Sequence, residues 1–354
     1  MGISDRLLGK KNVNGKPHIL AVQPGAALPG GEVRILGTDL RPAELRPPRV
    51  RFGEVDGSVV ISSDEFLVAR VPPGASSGPV VVSTNGHSSN PHQIKVAVPI
   101  ADSLHPVANP ALDPEGNIYA CFSGSRGQKV PVSIFKIDTN YEVKPFLSGL
   151  MNATAIAFDR EGQMYVSSRH EGAVYRVAQN GTMSPYAEGM GIATGLAFDR
   201  AGNLYVGDRS GTIFKIAPDR QIFVFATLEP SVSAYHLAFG PHGDLFVAGP
   251  TTSSFDYVYK IDPQGNVAPY FRGLGRPQGM AFDAEGNLYV AASFSGKRGI
   301  VKITNGGLAT LEVAGAGLVG LAFAPGRSVV LATSNAVYHL AWNIAGLPLV
   351  EYSH

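Results

Sequence analysis

The chain carries almost no net charge: 29 Lys and Arg stand against 28 Asp and Glu, a formal +1 at neutral pH. No global field therefore draws it to a nucleic acid or an anionic membrane. A single cysteine, Cys121, excludes an intrachain disulfide. With no base close to it in sequence, it reads as a small buried filler at a strand end. No apolar run is long enough to span a bilayer, and the opening MGISDRLLGKKNVNGKPHIL has no continuous apolar segment of the secretory type. The expectation is a soluble, cytoplasmic chain without a membrane partner. HExxH, CxxC, P-loop, EF-hand and nucleophile-elbow patterns are all missing, which removes the chemistries they carry.

Turn chemistry is abundant instead. There are 42 Gly and 26 Pro, while charged residues make up only 16% of the chain. That is a turn-rich β composition. One phrase recurs six times: ALDPEGNIYAC from Ala111, AIAFDREGQMYVSS from Ala155, GLAFDRAGNLYVGD from Gly195, HLAFGPHGDLFVAG from His236, GMAFDAEGNLYVAA from Gly279 and GLAFAPGRSVVLAT from Gly320. The residue before each turn (Asp113, Asp159, Asp199, Gly240, Asp283, Ala324) recurs at steps of 46, 40, 41, 43 and 41. A period near forty built of short strands and Gly turns marks a β-propeller blade. Third strands follow as SIFKID, AVYRVA, TIFKIA, YVYKID, GIVKIT and AVYHLA, and fourth strands as VKPFLSGL, MSPYAEGM, IFVFATL and VAPYFRGL. Four strands in each of six repeats predict a six-bladed ring over 99–354. Either Leu347–Tyr352 or the segment Lys95–Leu104 would supply its last outer strand. The C-terminal strand is favoured, because it follows AVYHLAW as fourth strands do elsewhere.

Residues 17–98 read differently, after a flexible arm over 1–16. Val33 and Ile35 alternate with Glu32 and Arg34, a strand with one wet face. RVRFGEV, GSVVISS and EFLVARVP read as further strands, and Asn85-Gly86 as a hairpin turn. The segment is expected to be a small β-sandwich. Arg41, Arg46, Arg49 and Arg51 are scattered among prolines and form no dense basic loop, which argues against nucleic acid as a partner.

Pro17, Ile19, Pro24, Gly30-Gly31, Val33, Ile35, Gly37, Phe52-Gly53, Val71-Pro72, Gly78, Gly86 and Asn90 together resemble the immunoglobulin-like IPT/TIG family. That resemblance implies an interaction or spacer module. The phrase G-[LIM]-A-F-D-x-x-G-N-[LI]-Y-V-A, clearest at Gly195–Asp208 and Gly279–Ala292, resembles the NHL-repeat and gluconolactonase-like (senescence-marker-type) propellers. The whole is expected to be all-β: an immunoglobulin-like sandwich followed by a six-bladed propeller.

The propeller resemblance implies that loops leading into the inner strands share one face with the loops joining second to third strands. The lead-in loops hold His105, Asn109, Asn152, Thr154, Thr194, Tyr235, His236, Arg276 and Gln278. The second set holds Arg126, Lys129, Arg169, His170, Asp208, Arg209, Asp256, Lys297 and Arg298. The expected ligand-binding residues are His105, Asn109, Asn152, Arg169, Asp208, Arg209, Tyr235, His236, Arg276 and Gln278. Arg169, Arg209, Arg276 and His236 would converge on a carboxylate or phosphate. The alternative is that each arginine pairs with a nearby Asp or loop carbonyl. His236 stands where Gly195, Gly279 and Gly320 stand in other repeats.

Gluconolactonase-like enzymes imply an axial divalent metal held by one Glu and a few Asn or Asp. Alignment on the turn puts that Glu at Ala108, the Asn positions near Ala193-Thr194 and at Tyr235, and the Asp at Gln278. None is an acid, so no cofactor is expected, and a divalent metal stays open only as an alternative that lacks its acidic ligands. Two functions stay open: a binding protein offering a polar face to a small anion or a protein, or a hydrolase or lyase with an altered site.

Overall fold

The computed structural model describes residues 15–41, 47–124 and 128–348. Arg46, Arg126 and most of the 1–16 arm lie outside the described residues. The described residues form no helix, so none is long and apolar enough to cross a membrane. The chain divides into two compact units, residues 1–98 with 311–316, and residues 99–310 with 317–354.

The first unit is all-β. Its strands are ordered His18–Gln23, Glu32–Thr38, Phe66–Arg70, Val55–Ser62, Arg49–Phe52, Gly78–Thr84 and His92–Val96. Val33 and Ile35 are buried and Arg34 is exposed, the one-sided pattern read from the sequence. Their core includes Ile19, Val50, Phe52, Leu67, Val80 and Ile94. Asn85 and Gly86 both adopt positive φ, 48° and 80°, and close the tight turn between Thr84 and His87. Ala26–Ala27 pairs in parallel with Val313–Ala314 on one side and Lys95–Val96 on the other.

The second unit is a β-propeller, and the recurring phrase explains its blades. In the third repeat the inner strand Ala193–Phe198 turns at Asp199. The Asp199 carboxylate accepts the N–H of Ala201 and of Asn203, both at 2.9 Å. Its second oxygen accepts the Asn203 side-chain amide at 2.7 Å and the Tyr205 hydroxyl at 3.3 Å. Gly202 takes φ 83°, a conformation that a β-carbon resists. Asp113, Asn117 and Tyr119 repeat the arrangement. Burial and the neighbouring Asp together hold the Tyr119 and Tyr205 hydroxyls well above their usual pKa. The phrase D-x-x-G-N-[LI]-Y is thus one hydrogen-bonded turn written in side chains.

The aromatic positions join consecutive repeats. Tyr119 meets Phe158, Tyr165 meets Phe198, Tyr205 meets Phe239, Phe246 meets Phe282 and Tyr289 meets Phe323. All are edge-on pairs with ring centroids 4.8–5.6 Å apart. In the first five repeats the second strand therefore packs its ring on the Phe of the next A-F. Cys121 ends a second strand, buried, with its thiol pushed up to about 12 by burial. It is the packed filler that the sequence suggests.

Five four-stranded sheets stand as separate units of this fold. Four are antiparallel meanders, from Ala111–Leu112, Ala153–Phe158, Ala193–Phe198 and His236–Phe239 outward. The fifth is ordered Leu318–Ala324, Ser328–Thr333, Val337–Leu340 and Val98–Ala101. Its outer strand corrects the favoured closure. Val98–Ala101 supplies the fourth strand, which is the N-terminal alternative. The chain instead leaves Val337–Leu340 for an irregular path in which Leu347 N–H bonds Phe282 C=O at 2.9 Å. Residues 349–352 of the C-terminal candidate lie outside the described residues.

The turn carboxylates are expected to matter energetically. Asp283 is 2% exposed and accepts from Glu285 N–H, Asn287 N–H and the Asn287 side-chain amide at 2.8–3.0 Å. Asp283→Ala leaves those donors short of an acceptor and is expected to cost about 2 kcal/mol, read from the shift in urea midpoint. A change within about 0.5 kcal/mol would show that water replaces the carboxylate.

Candidate functional site

The two loop sets do meet. Arg169 N–H donates to Asn152 C=O at 3.3 Å, and Arg209 N–H to Ile192 C=O at 3.2 Å. Arg298 opens a third strand, and its guanidinium reaches the lead-in residues Arg276, Gln278 and Leu318.

At the heads of the inner strands neighbouring backbones approach closely. Four residues before each turn position stand Asn109, Ala155, Gly195, His236, Gly279 and Gly320. A β-carbon on Gly195 would lie 2.5 Å from the Tyr235 carbonyl oxygen, and one on Gly320 would lie 2.6 Å from the Asn109 Cα. Asn109 uses both ends of its amide: Nδ2 donates to Met280 C=O at 2.9 Å, and Oδ1 accepts Leu321 N–H at 3.1 Å. Repeats two to four are tied by buried hydroxyls. Ser167 Oγ accepts Ala155 N–H at 3.0 Å and donates to Thr194 C=O. Thr194 Oγ1 accepts Tyr235 N–H at 3.1 Å and donates to Gly207 C=O at 2.8 Å. These satisfied groups read as structure.

His236 differs. It is 5% exposed, and its Nε2 has no hydrogen-bond partner among the described residues. Burial lowers its pKa to about 4, so the ring is neutral at physiological pH. It therefore adds no positive charge to an anion site.

Most other expected site residues are engaged in holding loops. Arg169 donates to Gly124 C=O at 3.1 Å, as does the Asn152 side-chain amide at 3.0 Å. Arg209 donates to Ser231 C=O at 3.2 Å. Asp208, 5% exposed, accepts Ile192 N–H at 2.8 Å and the Ser210 hydroxyl. The Tyr235 hydroxyl donates to Glu229 C=O. His105 is exposed, 3.3 Å from Ser334 C=O through Nδ1 and edge-on to Phe122. Arg209, Arg276 and His236 make no hydrogen bond to one another among the described residues. The loop-carbonyl alternative thus describes Arg169 and Arg209.

The exception is a corner of Arg276, Gln278 and Arg298. Arg298 is half-buried and donates to Arg276 C=O at 3.1 Å, to Leu318 C=O at 2.7 Å and to Gln278 Oε1. All three acceptors are neutral. Neither Arg276 nor Arg298 has an ion pair to a described carboxylate. Burial first, and then the Arg276 charge, lower the pKa of Arg298. Arg276 itself is exposed and held at φ 47°. Arg298 was absent from the expected ligand-binding set. Its signal in sequence is weak, a basic residue just after the FSG turn that ends a second strand.

The axial residues do not fit a divalent metal. Ala108 offers no ligand, both ends of the Asn109 amide are committed, and Gln278 Oε1 already takes a guanidinium proton. Among the described residues no three His, Cys, Asp or Glu side chains cluster. Two surface clefts, of about 210 and 260 Å³, lie elsewhere, beside the turns of Asp199 and Gly240 and of Asp113 and Glu161. No expected site residue lines either.

No family model and no curated protein matches this sequence. Solved structures match its fold. An auxiliary nutrient binding protein from Bacteroides thetaiotaomicron superposes with a TM-score of 0.54 at 14% identity, over 94% of this chain and 99% of its own. A chain assigned as a gluconolactonase gives 0.57 at 18% identity, over 71% of this chain and 93% of its own. A catalytically inactive histidine variant of virginiamycin B lyase from Staphylococcus aureus, with quinupristin, gives 0.52 at 11%, over 94% and 97%. At such identities the likeness is one of fold.

Proposed function

We propose that this chain is a binding protein that captures a small anion, a carboxylate or phosphate, at the Arg276–Gln278–Arg298 corner. One observation carries the reading: a half-buried guanidinium stands beside a second one, and neither is paired with a described acid. Holding two cations together is unfavourable, and burial makes it more so. An anion relieves both terms and accepts the fork of donors that arginine offers. The nutrient-binding neighbour agrees in kind.

In the same reading the propeller has six blades. The sixth is supplied by Met280–Phe282, Leu288–Phe294, Lys297–Ile303 and Ala309–Ala314, and the sixfold phrase supports it. The first unit is an IPT/TIG-like accessory module, supported by its strand pattern and its Gly and Pro positions.

The test is thermal unfolding with phosphate, citrate and acetate at matched ionic strength, for wild type and for Arg276→Ala/Arg298→Gln. A ligand at about 100 times its Kd stabilises the folded state by about 2.7 kcal/mol. At least one anion is expected to raise the wild-type midpoint and leave the double variant unmoved. No response to any anion, or an equal response in the variant, overturns the reading.

His236 favours a second reading, a lyase or hydrolase of the same propeller class. A buried neutral imidazole with an uncommitted Nε2 is a competent proton acceptor. The matched lyase variant is inactive through a single histidine change. Turnover of lactones or cyclic esters that is lost in His236→Asn would support it. Absence of any turnover by the wild type would remove it.

A further inference from the structure

The outer strands of the propeller sheets are exposed edges, and most carry the same safeguard. Val143–Leu147, Met183–Ala187 and Val267–Leu274 each hold a proline just before a bulge: Pro145 opposite Phe135, Pro185 opposite Tyr175 and Pro269 opposite Tyr259. The outer strand Val98–Ala101 contains Pro99. Proline has no N–H to offer an incoming strand, so it blunts an edge. Lys144 and Arg272 add charge to two of these strands.

Ile222–Thr227 breaks the rule. At the same register, before the same bulge, Val224 stands opposite Phe214. Val224 is 66% exposed, and its neighbours Ile222 and Phe223 are exposed as well. From Gln221 to Leu228 there is no charge. One other strand in a fourth position lacks proline, Ala309–Ala314, and that strand carries a charge, Glu312.

We propose that Ile222–Thr227 is a self-association edge, paired antiparallel with the same strand of a second copy of this chain. Two features select that occupant. An uncharged strand meeting its own copy sets no like charges opposite one another, and a two-fold contact needs only a self-complementary patch. The strand is also flanked by exposed charges, Asp219 and Arg220 before it, with Arg220 the nearer, and Glu229 after it. Antiparallel pairing brings the Arg220 end of each copy beside the Glu229 end of the other. Alternating side chains let Ile222 and Val224 meet their counterparts on one face and Phe223 on the other.

The test is sedimentation equilibrium of the full chain over a concentration series, with Val224→Pro and Val224→Lys. Val224→Pro restores the residue that three sister strands already accommodate. The wild type is expected to form dimers, and both variants to associate about tenfold more weakly or worse, with melting midpoints unchanged from the parent's at dilutions where the parent is monomeric. If Val224→Pro unfolds, Val224→Lys decides. A wild type that stays monomeric at every concentration, including one that instead retains a foreign extended peptide, overturns the proposal. So do variants that dimerise like the parent.

Discussion

Lowering the pH from neutrality to about 4 is expected to cost this fold about 3 kcal/mol through His236 alone. The imidazole has an ordinary pKa of 6.5, and burial brings it to about 4 in the folded chain. The unfolded chain therefore takes up its proton first as pH falls. The stabilising contribution is complete above 6.5, shrinks between 6.5 and 4, and is gone below. Urea unfolding at a series of pH values would read this directly. His236→Asn should flatten the curve across that window. His339, half-buried and shifted the same way by burial, titrates in both proteins and drops out of the difference. Parallel curves for parent and variant would mean that the ring is hydrated or partnered in solution. The same experiment bears on function, since a ligand that bonds Nε2 would move the window.

How far the sequence could be read depended on the range of the interaction. The Asp–Gly–Asn–Tyr turn is local: Asp199, Gly202, Asn203 and Tyr205 bond within a few residues, so their spacing alone betrayed a turn. The alternation at Val33 and Ile35 was legible for the same reason. Closure was not. Val98–Ala101 and the C-terminal segment are both short and apolar, and which one pairs with Val337–Leu340 is settled by long-range packing. The site was half legible. Position in the repeat singled out His236 and the loop arginines. It could not say that Arg169 and Arg209 would each meet a backbone carbonyl while Arg298 would gather three neutral oxygens beside a second cation. That depends on how far a long side chain reaches between neighbouring repeats, which no single-copy pattern encodes. The missing proline at Val224 was visible in sequence, but it acquires meaning only once the strand is known to be an outer one.

Gly320→Ala is expected to destabilise the fold by about 3 kcal/mol or more, far beyond the usual preference for glycine or alanine in a strand. The reason lies at the head of the repeated phrase. A β-carbon at 320 would stand 2.6 Å from the Asn109 Cα, 2.7 Å from its nitrogen and 2.8 Å from the Ala108 carbonyl oxygen. All three are backbone atoms, so no rotamer change relieves the clash. Asn109 in turn bonds Met280 and Leu321, so moving it disturbs repeats one, five and six together. Gly279 is in the same position, 2.6 Å from the Gly320 Cα and 2.8 Å from the Val319 oxygen, and Gly279→Ala should behave alike. Gly306→Ala is the control, because its nearest neighbour would be Thr304 Oγ1 at 3.8 Å. Urea midpoints for the three variants decide the matter. If Gly320→Ala falls within about 1 kcal/mol of Gly306→Ala, the inner strands have slack at the axis. In that case the G of G-[LIM]-A-F is not there for close approach, and the presence of His236 in the fourth copy needs no special room. The expected large difference would mean the opposite: the axis tolerates a side chain only at chosen copies, and the imidazole at 236 occupies one of them.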